Sequence, residues 1–402
     1  MKKLFSTLFI TPFLILLLTI KTAAISPEAR FSLLTASPGT ELYSVFGHSA
    51  LRVYDPENLT DEVYNYGTFD FETPGFYLKF SRGQLLYQLS VTSMSVFLFE
   101  YESERRAVYE QVLNLTAEEK YTLYDFLQVN RLPENKSYLY DFFYDNCSTR
   151  IRDIVDRFLD IDWGEDRYSD SPRSFRDMLQ PYLAGAPWPR FGIDIALGLP
   201  ADRIAGPWHY MFLPDELMFS FDQARHRDGR PLAGEVSVVL QETPPGASKT
   251  LLRPLLLMWL VFAAGLLSLL NPRFSLWFDR IFFAALGVTG LVIFLLWFFS
   301  DHTSTNQNMN LMWALPTHLY FIFRLNKLHQ PKIVRWYFRG VLVIASLLMI
   351  LWPLIPQGFN PSFFPLLAII AVKSYFITFF RESGTGGLRD GGREGERERG
   401  RD

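Results

Sequence analysis

Asp141-Phe-Phe-Tyr-Asp-Asn-Cys-Ser-Thr-Arg150 holds Cys147, the only cysteine in a chain of 402 residues. Asp145, Asn146, Ser148 and Thr149 are helix-capping residue types, and Ile151, Ile154, Val155 and Phe158 then recur at helical spacing. This pattern predicts an amphipathic helix with Cys147 in its first turn. There, unpaired backbone N–H groups and the positive end of the helix dipole favour a thiolate over a thiol. A lone cysteine in an exported chain cannot form an internal disulfide. It is an inert buried thiol, an intermolecular bridge, a lipidation site or a nucleophile. The first turn of a helix favours the nucleophile; the competing reading is a small apolar residue at the start of a core helix.

The compartment follows from the ends of the chain. Lys2 and Lys3 precede an apolar run from Leu4 to Ile20, and Thr22-Ala23-Ala24 supplies small residues for cleavage, which predicts a signal peptide over residues 1–24. Residues 25–248 mix polar and apolar types and are long enough for one globular domain. Residues 249–381 are mostly apolar, with candidate spans at Leu251–Leu270, Ile281–Phe299, Leu311–Phe323, Val341–Ile355 and Phe363–Phe380. Arg273 and Arg280 lie between the first two. Arg324, Lys327, Lys332, Arg335 and Arg339 lie between the third and fourth. The alternate segments, Ser300–Asn310 and Pro356–Pro361, hold no Lys or Arg, so about five crossings put the large domain outside and the C-terminus in the cytoplasm. That is a multi-pass membrane protein with its large domain exported. Residues 382–402 alternate Arg, Glu, Asp and Gly and predict a disordered tail.

Within the large domain, Arg30–Thr35, Glu41–Tyr54, Glu62–Phe71 and Gly83–Val91 read as strands. Thr116-Ala-Glu-Glu119 is a capping box that opens a helix. Trp163–Ala224 is dense in Pro, Gly, Trp and Asp and has no clear period. His48, in Phe46-Gly-His-Ser-Ala50, stands on a strand in the right compartment and is the candidate general base for Cys147. His209 and His226 fall in irregular stretches, His302 and His318 at or in the membrane, and His329 on the far side. A third group should orient the imidazole. Asn65 and Asp70 on the next strand are both available, and Asn65 is preferred; the choice depends on strand register.

The order of histidine strand, polar strand and cysteine helix resembles that of a circularly permuted papain-like fold. Ser32–Val53, Tyr64–Phe71 and Tyr140–Arg150 moreover resemble the Lnb N-terminal periplasmic domain family, over Phe31 to Asp160 and on toward Asp222. The resemblance implies an α+β periplasmic domain of NlpC/P60-like type, followed here by an all-α bundle of about five transmembrane helices. The family is found in the bacterial envelope, and its name comes from an accessory protein for an extracellular lacto-N-biosidase. Ala36 stands where some relatives are expected to carry a cysteine, which leaves Cys147 without a partner.

The expected activity is thiol-based hydrolysis or transfer at an amide or ester carbonyl. Cys147 attacks, His48 shuttles the proton, Asn65 orients the ring, and N–H groups at the start of the cysteine helix bind the oxyanion. Expected partners are the lipid bilayer and an envelope substrate: a peptidoglycan peptide, a lipoprotein or a lipid. The other function class is a non-catalytic accessory protein that binds an exported client. No Gly-x-Ser-x-Gly, His-Glu-x-x-His, Cys-x-x-Cys or nucleotide loop occurs, so neither metal nor cofactor is expected. A net charge of −3 with no basic stripe speaks against nucleic acid. Asp301 and His302 read either as an ordinary polar loop or as a polar floor beneath the domain. His318 is expected to bond between helices, and Lys373 to snorkel or find a buried partner.

Overall fold

The computed structural model describes residues 25–242, 252–327 and 329–380. The expected signal peptide and the expected tail lie outside the described residues. The large domain is built on an antiparallel seven-stranded sheet. Its strands are β1 (Arg30–Ala36), β2 (His48–Asp55), β3 (Thr60–Thr68), β4 (Leu86–Ser93), β5 (Val108–Val112), β6 (Ser137–Leu139) and, after the two-residue pair β7 (Ile161–Asp162) and β8 (Arg225–His226), β9 (Ser237–Leu240). The spatial order is β6-β4-β3-β2-β1-β5-β9. The last strand of the sheet thus ends at Leu240.

Alternation explains how both faces are covered. Phe31, Leu33, Leu51, Val53, Tyr64 and Tyr66 face one core, and Leu34, Ala36, Ala50 and Val63 face another. Helices follow in chain order: α1 (Phe76–Ser81), α2 (Met94–Ser103), α3 (Ala117–Asn130) and α4 (Cys147–Phe158). Ile151, Ile154 and Val155 of α4 enter the first core, and Met94, Phe97 and Tyr101 of α2 cover the second. The predicted capping box at Thr116 and Glu119 is formed.

Two readings of this domain are corrected. The strand read over Glu41–Tyr54 begins only at His48, because the chain turns at Glu41–Ser44 and again at Ser44–Gly47, where Gly47 has φ +83°. The stretch without visible period holds α5 (Phe175–Leu183), α6 (Pro187–Ala196), α7 (Pro207–Tyr210) and α8 (Pro214–Gln223). Three of these begin on a proline at the first helical position, and α5 on a Ser174/Asp177 capping box.

Four of the five apolar runs form helices: α9 (Pro254–Ser268), α10 (Pro272–Phe298), and, after the single turn α11 (His318–Phe321), α12 (Lys332–Ile350) and α13 (Phe363–Phe379). Among the described residues, α10 and α12 are long and apolar enough to cross a membrane. The run Leu311–Phe323 is not one helix. It comprises a 3₁₀ turn at Met309–Met312, α11, and a second 3₁₀ turn at Ile322–Arg324, interrupted by Pro316. This irregular backbone descends against α10, where glycines let it approach: a Cβ on Gly290 would lie 1.8 Å from the Ala314 oxygen. At its lower end Arg280 donates to the Leu325 carbonyl at 2.9 Å. Such backbone is tolerated at membrane depth where protein buries it.

The start of α9, the end of α10 and the start of α13 meet the large domain, through Trp188 to the Leu252 carbonyl, Asp301 to Arg82 and Asn360 to Asp194. Toward the other end, Lys373 on α13 pairs with Asp279 on α10 at 2.9 Å and donates to Ser268 and Ser275. Lys373 has therefore found a buried partner. His318 bonds to Tyr337 at 2.8 Å and to the Trp313 carbonyl at 3.3 Å, between helices as expected.

Candidate active site at the start of the cysteine helix

Asn146 is the N-cap of α4. Its Oδ1 accepts from the Ser148 and Thr149 N–H groups, and Thr149 Oγ1 accepts from the Asn146 N–H. The asparagine's own NH₂ donates to the Phe142 and Phe212 carbonyls, which fixes the cap from behind. Asp145 holds Arg150 through both carboxylate oxygens, at 2.6 and 2.8 Å. The local sequence therefore builds a rigid helix start, and Cys147 sits at its first position, partly exposed and free.

Sheet register supplies the other two groups. Leu51 pairs with Tyr64 and Arg52 with Val63, and just beyond this ladder His48 of β2 comes beside Asn65 and Gly67 of β3. Asn65 faces His48 across the two strands. Its Oδ1 is 2.5 Å from His48 Nε2, which leaves Nδ1 for the thiol. Asp70 instead sits in the following turn, where its carboxylate accepts from the Glu72 N–H. The structure thus brings Cys147, His48 and Asn65 together and leaves Asp70 out. Ala36 pairs directly with His48 across β1 and β2.

Each group favours the charged form of the other. Burial pushes the Cys147 thiol up, but the His48 charge, a hydrogen bond from the ring, the Ser49 backbone N–H and the Ser148 hydroxyl bring it down to about 7. For His48, burial works against charge, and the Cys147 sulfur together with the Asn65 amide outweighs it, so the ring titrates above its ordinary value. A ring stacked near Tyr101, 6.4 Å away and 19° from parallel, limits its rotation.

Residues 20–172 match the Lnb N-terminal periplasmic domain, and residues 247–383 match the Lnb transmembrane domain. The chain belongs to the Lnb family. Neither the curated proteins nor the solved structures give a match. In this Lnb protein the periplasmic domain is joined to the transmembrane domain by contacts as well as by chain. Asp301 accepts from Gln84 and donates its N–H to the Arg82 carbonyl, and His302 Nε2 bonds the Phe80 carbonyl at 2.7 Å. Asp301 and His302 are therefore a clamp on the Lnb domain and not an open polar floor.

One sequence expectation about the site is corrected. The Ser148 and Thr149 N–H groups are both taken by the Asn146 cap, so they are not available to a reacting oxygen. The sequence also gave no sign of Ser49 as a backbone donor to sulfur, nor of Tyr138 and Tyr140 on the approach to Cys147. The tyrosine alternation in Ser137-Tyr-Leu-Tyr140 was the available signal for the latter.

Proposed function

We propose that this Lnb protein is a thiol hydrolase or acyltransferase of the bacterial inner membrane, with its domain in the periplasm and its C-terminus in the cytoplasm. It cleaves or transfers an amide or ester acyl group of an envelope substrate. The observation that carries this reading is the constellation itself: a thiol lowered to about 7, beside an imidazole whose other nitrogen is held by Asn65 at 2.5 Å. Cys147 attacks the carbonyl carbon, His48 takes the thiol proton and gives it to the leaving group, and Asn65 holds the ring. The order of His48, Asn65 and Cys147 along the chain supports a circularly permuted papain-like architecture.

Among envelope substrates, the surroundings favour an acyl group presented at the bilayer surface, on a lipid or lipoprotein. Phe71, Tyr77, Leu78 and Phe80 around α1 are 50–82% exposed, beside His302 at the end of α10. From there rings adjoin inward: Phe80 to Phe76 at 6.2 Å, Phe76 to Phe69 at 5.8 Å, Phe69 to Tyr87 at 5.2 Å and Tyr87 to Tyr140 at 4.4 Å. Tyr140 lies close enough to Cys147 that, after burial, the thiolate is the next largest influence raising its hydroxyl's titration. These rings form a continuous aromatic layer from the exposed α1 side chains to Tyr140, and the exposed end offers an apolar surface to an acyl chain.

A fluorescent thiol-directed acylating probe tests the reading on the purified full chain. The wild type should label at Cys147, while Cys147→Ser and His48→Ala should not. If Cys147→Ser keeps the cellular phenotype, the protein is a binding partner of an exported client instead.

A further inference from the structure

Two of the N–H groups that would ordinarily receive an oxyanion at a helix start are consumed by Asn146. The reaction proposed above still creates a negative oxygen, and its stabilisation is usually a large part of the rate. The Cys147 N–H has no acceptor among the described residues. A second donor is required, and one is present in an unusual state.

Tyr138 is 7% exposed, and its hydroxyl has no hydrogen-bond partner among the described residues. A buried hydroxyl without a partner costs stability and calls for a reason. Its position is fixed by strand pairing and by a braced arginine. β6 pairs Tyr138 with Tyr87 of β4, the Arg150 guanidinium lies 3.5 Å above its ring, and Asp145 holds that arginine. The hydroxyl borders a gap above Gly67. A Cβ at Gly67 would lie 3.5 Å from Cys147 Cβ, 4.0 Å from His48 Cε1 and 4.0 Å from the Tyr138 hydroxyl, with nothing nearer. Gly67 has φ +90°, which disfavours any side chain there. The absent side chain leaves room for about one heavy atom between thiol, imidazole and phenol.

We infer that Tyr138 is a catalytic residue, donating its hydroxyl hydrogen to the oxyanion formed when Cys147 attacks an acyl carbonyl. The inference rests on the acyl-transfer reading. In the step, the Cys147 sulfur forms a bond to the carbonyl carbon and the carbonyl π electrons move to oxygen. That oxygen accepts hydrogen bonds from Tyr138 and from the Cys147 N–H, and neither proton is transferred. When the C=O bond re-forms, the bond to the leaving group breaks, and the leaving group takes its proton from His48. Burial and the neighbouring thiolate hold the Tyr138 hydroxyl protonated at neutral pH, as a donor must be. The charge of Arg150 over its ring strengthens it as one.

The test compares two reactions of the same thiol in the full chain in detergent. p-Nitrophenyl octanoate acylates Cys147 through an oxyanion and is read as a burst of p-nitrophenolate. Iodoacetamide alkylates it at a methylene, where no oxyanion forms. Tyr138→Phe should slow the burst by roughly 10²–10³ and leave the alkylation rate and its pH midpoint unchanged. Its thermal midpoint should equal or exceed that of wild type, since an unpartnered hydroxyl has been removed. An unchanged burst overturns the inference. So does a parallel fall in both reactions, which would make Tyr138 a support of the thiol alone. A wild type that alkylates near pH 7 and gives no burst would sink the acyl-transfer reading, and the role of Tyr138 with it.

Discussion

Replacing His48 by alanine should turn Cys147 from a reactive thiol into an ordinary one, and the size of the change follows from the site. With the thiol at about 7, half of it is ionised at neutral pH. Removing the ring removes the two largest influences that lower it, the imidazole charge and its hydrogen bond. Burial, which raises it, remains, offset in part by the Ser49 N–H and the Ser148 hydroxyl. The thiol then returns to near the free value of about 8.5, where only about 3% is ionised at pH 7. Iodoacetamide should accordingly alkylate His48→Ala about 15-fold more slowly at that pH, with the midpoint of the rate–pH curve displaced upward. The linkage signs differ for the two partners. The depressed Cys147 contributes stability above its unfolded value, and this is lost as pH falls through about 7. The raised His48 contributes stability below about 6.5, lost as pH rises through its higher folded value. Alkylation of wild type and variant across pH 5 to 10, with mass spectrometry to locate the adduct, measures the effect. Superimposable curves, or a wild-type midpoint near 8.5, would refute the ion pair.

Asn65→Ala removes a hydrogen bond to a charged ring and should lower acylation about ten- to hundredfold, while Asn65→Asp should restore much of it; single-turnover acylation kinetics decide. Lys373→Met leaves Asp279 buried without its cation and should cost about 3–5 kcal/mol, read as a lower thermal midpoint in detergent, and Lys373→Met with Asp279→Leu should recover most of the loss. A reporter active only in the cytoplasm should give signal when fused after Asp402 and none when fused near Ser248; the reverse pattern would invert the topology.

The helix start at Cys147 was legible because capping is local: Asn146 and Thr149 satisfy each other within four residues, whatever the rest of the fold does. The pairing of His48 with Asn65 was legible only as a choice, since a period-two pattern names the residues of a face and register selects among them. The turns at Glu41–Gly47 were hidden by β-forming residue types, Leu42, Tyr43, Val45 and Phe46, whose side chains pack or project from a loop. The helices between Trp163 and Ala224 were hidden for the opposite reason. Proline at the first helical position looks like a breaker in sequence and serves as a starter in the structure. The third apolar run shows the limit of length and hydropathy. Pro316 and the glycines of α10 convert it into irregular backbone, and only the neighbouring helix makes that backbone acceptable.

The loop that carries Cys147 is shaped from two sides. One oxygen of Asp141 accepts the Phe143 and Tyr144 N–H groups and so folds the turn that leads to Asn146. The other accepts the Thr303 hydroxyl at 2.6 Å, from the segment just beyond α10. At the next residue of that segment, the Ser304 carbonyl accepts from the Gly198 N–H, and a Cβ on Gly198 would lie 1.8 Å from the Asn306 oxygen, so the two backbones meet without a side chain between them. These contacts do not touch the thiol, yet they bear on the residue that starts its loop. A flexible tether would hold the domain near the bilayer with no fixed orientation. Contacts at Arg82, Asp141 and Gly198 instead fix which face of the domain meets the membrane region, and it is the face on which the α1 aromatics are exposed. The membrane region thus acts as part of the site's framework, holding the cysteine helix and the aromatic approach in one fixed relation to the ends of the membrane helices.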